Sequence, residues 1–82
     1  MSHAPHELAE EFPEAAALLS RLKAEDAHFA RLADRYHALN RDIHRAETDV
    51  EPTSDAHATE MRRERLHLKD QIATILSKAD AG

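Results

Sequence analysis

From Glu14 to about Thr48 nothing in the chain breaks a helix, and the bulky residues Leu22, Phe29, Leu32, Tyr36, Leu39, Ile43 and Val50 recur at steps of 7, 3, 4, 3, 4 and 7. Alternating threes and fours are the signature of a heptad seam, one apolar stripe along a helix. Position a of the heptad holds Ala15, Leu22, Phe29, Tyr36, Ile43 and Val50, and position d holds Leu18, Glu25, Leu32, Leu39 and Ala46. Glu25 interrupts the seam. It stands beside Asp26, whose carboxylate can accept from the free amides of a first helical turn, so the pattern predicts a kink or break near 25–26.

The breakers are Pro5, Pro13, Pro52 and the terminal Gly82. Pro5 can open a short turn of helix over residues 5–11, and Pro13 forces a corner at Phe12 before opening the next helix. Residues 1–12 therefore read as an N-terminal arm and 13–82 as one domain. Within that domain helices are predicted over about 13–24, 26–48 and 55–79. The turn at 49–54 contains Pro52, with Ser54 as N-cap and Asp55 favourably placed in the first turn. The last helix carries Ala58, Met61, Leu68, Ile72, Ile75 and Ala79 at helical spacing, with Arg65 at a seam position.

Two helices of this length each span roughly 35 Å at about 1.5 Å per residue, and the short turn makes them antiparallel. Centring the turn near Pro52 brings Ile43 opposite Met61, Leu39 opposite Arg65, Tyr36 opposite Leu68, Leu32 opposite Ile72 and Phe29 opposite Ile75. Two seams read independently agree in register. The predicted fold is all-α: a coiled-coil-like antiparallel two-helix hairpin preceded by a short N-terminal helical segment. Residues 14–24, left over beyond the hairpin, carry Leu18, Leu19 and Leu22 on a strip about as apolar as the seam, and Leu66 and Leu76 also point off the hairpin seam. A hairpin this small has little core of its own, so these five leucines are the expected surface for self-association or for a protein partner.

Composition narrows the chemistry. Only eighteen apolar residues are larger than alanine, and four of these are valine or isoleucine, which argues against a sheet. The formal charge is −5, a field that repels phosphate backbones and anionic lipid. Protonating all seven histidines would carry it to +2, so solubility is expected to fall in mildly acidic buffer. With no cysteine there are no disulfides or thiolate sites. No apolar run approaches a membrane span and the N-terminus lacks signal-peptide character, so the expected compartment is the cytoplasm.

The histidines invite a metal reading through His37 with His44 and His57 with Glu60, but each pair lacks the further ligands a structural zinc site needs. Met1-Ser2-His3 could chelate Cu(II) or Ni(II), yet Ser2 is small enough for the initiator Met to be removed. No metal or cofactor is expected. Asp26 and His28 lie on different helix faces and make no catalytic dyad, so Asp26 reads as a cap and no enzyme activity is expected. Arg62, Arg63, Arg65 and Lys69 form one basic cluster, the basis of an alternative reading as a nucleic-acid-associated factor. Glu60, Glu64 and Asp70 are interleaved with it and no aromatic residue accompanies it for base stacking.

Pro13-Glu14, Leu22-Lys23, Asp26, His28-Phe29, Leu32, Tyr36, Leu39, Ile43 and Glu47, followed by the run from Met61 to Ile72, resemble the YdcH family of small bacterial proteins of unknown function. The likeness covers residues 13–76. Its most distinctive pieces are Asp26-x-His28-Phe29 and Leu66-x-Leu68-Lys69-Asp70-x-Ile72. Met61 stands where the family usually has Leu, and Arg62 and Arg63 where it usually has Lys. The resemblance implies a bacterial cytoplasmic protein of coiled-coil helices with a true helix boundary at Asp26; it implies no activity and carries over no catalytic residue. The function expected is protein interaction, as a small adaptor or regulatory coiled coil that binds itself or another helix.

Overall fold

A computed structural model of the chain describes residues 6–48 and 54–81. Pro5, the His3 chelate geometry, Val50 and the Pro52 turn lie outside these residues. Among the described residues the protein is all-helical, with α1 over Leu8–Glu11, α2 over Ala16–Glu25, α3 over Ala27–Glu47 and α4 over Asp55–Ala81. A single 3-10 turn, Pro13–Ala15, links α1 to α2.

Each boundary has a local cause. Phe12 leaves helical geometry with φ −130° and ψ 64°, and Pro13 supplies the first residue of the next turn. Asp26 is extended, with φ −123° and ψ 105°, and its side-chain Oδ1 accepts from the Phe29 amide at 3.1 Å. The seam therefore breaks where Glu25 interrupts it, because Asp26 caps a new helix there. At the start of α4, Ser54 Oγ accepts from the His57 amide at 3.1 Å.

α3 and α4 lie side by side. Glu47 near the end of α3 meets Arg62 near the start of α4, and Asn40 meets Arg65. α2 packs on α3, and α1 reaches both long helices. The main core gathers Leu8, Leu19, Phe29, Ala33, Tyr36, Leu68, Ile72 and Leu76, with Phe12, Ala15, Leu18, Leu22, Leu32, Leu39 and Ile75 half-buried around it. Ile43 and Met61 are also buried.

Two features differ from the periodic reading. On α3 the fully buried stripe is Phe29, Ala33, Tyr36, Asn40 and Ile43, while Leu32 and Leu39 are half-buried. α3 is covered by α4 on one side and by the N-terminal elements on another, so its most enclosed line is rotated away from the a/d seam of a two-helix pair. The second difference concerns the leucine strip. Leu19 and Leu76, expected on an open surface, are buried, and Leu18 and Leu22 pack against the same core. The reason is that α1 and α2 fold back over the pair formed by α3 and α4. The N-terminal arm contributes Leu8, just 3% exposed, to the same core.

Candidate functional site

The polar contacts of α1 and of the two residues before it, His6 and Glu7, build a latch. His6, with φ 66°, turns its carbonyl toward Tyr36, whose hydroxyl donates to it at 2.6 Å. Left-handed backbone is uncommon outside glycine, though histidine is among the residues that adopt it more often. Glu7 Oε2 lies 2.9 Å from His37 Nδ1. Glu11 Oε1 receives Lys69 Nζ of α4 at 3.3 Å and lies 3.1 Å from His6 Nδ1. A helix of one turn is too short to hold itself together, so Leu8 burial and these ties fix its place.

Electrostatics follow from this packing. Burial pushes the Tyr36 hydroxyl up to about 12, and the nearby Glu11 carboxylate acts in the same direction. Burial also acts to raise Glu11, but its hydrogen bonds from His6 and Lys69, with their charge, outweigh that and hold its carboxyl below the usual range.

Beside the latch, the Phe12–Pro13 corner and α4 enclose an open groove of about 520 Å³. Phe12, Pro13, Ala15, Leu18, Ala73 and Leu76 form its apolar walls, and Glu11, Glu14 and Ser77 supply its polar atoms. The lining contains no histidine or lysine. What the groove can do is seat an apolar side chain beside an acidic edge.

The seam residues expected to face one another divide between fully and partly enclosed positions: Phe29, Tyr36, Ile43, Met61, Leu68 and Ile72 are buried, whereas Leu32, Leu39 and Ile75 are half-buried. Of the five surface leucines, Leu18 and Leu76 line the groove, Leu19 is in the core and Leu22 lies against it. Leu66 stands apart at 58% exposed. The basic cluster is largely engaged within the chain. Arg62 pairs with Glu47, Arg65 Nη1 donates to Asn40 Oδ1 at 2.9 Å, and Lys69 is on Glu11. Arg63 is exposed and makes no ion pair among the described residues. No group of three or more metal-ligating side chains comes together among the described residues; His37 is spent on Glu7, and His67 meets Gln71 at 3.0 Å.

Sequence reasoning passed over Asn40, which is 1% exposed yet polar. It sits four residues after Tyr36, on the line where Ala33 follows Phe29, so a helical pattern that admits alanine as a core residue would have exposed it. Leu8 was also passed over, because a lone leucine in a charged arm carries no periodicity.

No helix among the described residues is long and apolar enough to cross a membrane. Residues 29–76 match a family described as a protein of unknown function, DUF465. The chain is 36% identical to the uncharacterized protein YdcH of Escherichia coli strain K12 over 67 residues, which cover 82% of this chain and 90% of that relative. The uncharacterized protein YdcH of Shigella flexneri matches to the same extent. No solved structure matches the chain. The family match begins at Phe29 and ends at Leu76, two core residues on the paired helices, and leaves the arm and the Phe12–Leu18 wall of the groove outside it. On its match to residues 29–76 and the identity to these bacterial relatives, the chain belongs to the DUF465 family of proteins of unknown function.

Proposed function

We propose that the chain is an antiparallel helical hairpin capped by its own N-terminal arm, and that it works in the cytoplasm as a small adaptor or regulatory protein through protein–protein contact, beginning with a second copy of itself. The observation that carries this reading is the apolar groove at the Phe12–Pro13 corner, which the single chain leaves open. An elongated body of 43 × 28 × 20 Å adds long charged flanks, with Arg31, Asp34, Arg35, Arg41 and Asp42 exposed along α3. Such mixed-sign faces favour specific partners over a uniform polyanion.

No catalytic role is assigned. The nucleic-acid alternative is disfavoured by the internal engagement of Arg62, Arg65 and Lys69. Sedimentation over a concentration series tests the proposal: a mass rising from 9.2 kDa toward twice that value is expected at tens of micromolar. A mass fixed at that of one chain throughout, or strong retention on nucleic acid at low salt, would overturn it.

A further inference from the structure

Among the described residues, Leu66 is the large apolar side chain left in water, at 58% exposed. It lies seven residues before Ala73 and eleven before Ser77, spacings that place all three on one side of α4. Ala73 and Ser77 line the groove, so Leu66 projects from the side of the molecule on which the groove opens. The axial separation between Leu66 and the groove is roughly 10–16 Å at helical rise. One face of α4 therefore carries both an apolar knob and an apolar hole.

Charge follows the same division. Arg63 is one turn before Leu66, is exposed, and makes no ion pair among the described residues. Glu14 lines the groove and is likewise exposed without an ion pair among them. A knob beside a free cation and a hole beside a free anion complement each other. They cannot meet within one molecule, because α4 is a continuous helix that holds them apart.

We propose that two copies of the chain pair through this face of α4 in antiparallel fashion, each Leu66 entering the partner's groove and each Arg63 meeting the partner's Glu14. A two-fold axis near Lys69 and Asp70 satisfies both contacts at once, since a patch containing a knob and its own hole is self-complementary under such an axis and closes as a dimer. The inference rests on the self-association reading above and names its surface. Two leucine plugs and two solvent-screened ion pairs form a small interface, so dissociation constants on the order of tens of micromolar are expected.

Sedimentation of the full chain, with circular dichroism to verify helix content, tests this. Leu66, Arg63 and Glu14 are exposed, so their replacement leaves the folded monomer intact. Leu66→Asp should remain a monomer at concentrations where the parent dimerises. Arg63→Glu and Glu14→Arg should each weaken pairing about tenfold, by placing like charges together twice. Mixing those two variants one to one should restore it, because the mixed dimer has opposite charges at both contacts. A Leu66→Asp chain that dimerises like the parent, or a mixture no tighter than its components, overturns this interface while leaving self-association through another face. A parent chain that never dimerises removes both.

Discussion

Tyr36 combines an aromatic ring without exposed surface and a hydroxyl that holds the arm through the His6 carbonyl. Removing that oxygen in Tyr36→Phe leaves the ring packing in place and deletes one neutral hydrogen bond, so a loss of about 1 kcal/mol in unfolding free energy is expected. The pH dependence has a definite sign. The folded chain holds the phenol proton more tightly than the unfolded chain does, with the hydroxyl raised from 10.0 to about 12. Its contribution to stability is complete below pH 10.0 and is lost as pH rises to about 12. Thermal melts across that alkaline window should fall steeply for the parent and less steeply for Tyr36→Phe. Equal slopes would show that another group governs alkaline unfolding.

At the level of helices, Asn40 and Arg65 show what a periodic reading can and cannot recover. The heptad spacing identified Phe29, Tyr36 and Ile43 on α3 and Met61, Leu68 and Ile72 on α4, because large apolar side chains recurring every three or four residues leave few other arrangements. The cap at Asp26 was equally legible, since a short acidic side chain beside a polar gap in the seam has a strong local preference. The rotation of the buried stripe toward Ala33 and Asn40 was not legible. It depends on where α1 and α2 come to rest, and that is decided by contacts between segments far apart in sequence. For the same reason Leu19 and Leu76 read as surplus apolar surface, since nothing local tells that α1 and α2 fold back over α3 and α4. Arg65, placed at a seam position by its spacing, finds its partner in Asn40, the polar residue that apolar counting skipped. Replacing Asn40 alone by Leu should cost about 1–3 kcal/mol, because it strips a half-buried guanidinium of an acceptor. Combining it with Arg65→Leu should cost less than the two single changes together, as judged by urea unfolding. Strict additivity would mean that the pair contributes no coupling.

Across the whole molecule, closure of the arm decides how complete the core is. Leu8 is the arm's buried anchor, and Leu8→Ala should destabilise the protein by about 2–5 kcal/mol, the range for leucine truncations in a packed interior. Hydrogen exchange should locate the change at the arm and at the faces of α3 and α4 beneath it, with the Glu47 to Arg62 end least affected; uniform acceleration would place the arm inside one cooperative unit with the rest. The chain contains one tyrosine and no tryptophan, and that tyrosine sits under the latch. Its near-ultraviolet absorption and fluorescence therefore come almost wholly from a single ring whose hydroxyl is bonded when the arm is seated and hydrated when it is lifted. The protein thus carries a native optical gauge of arm closure, readable without a label in stopped-flow mixing with partners, denaturants or a second copy of the chain.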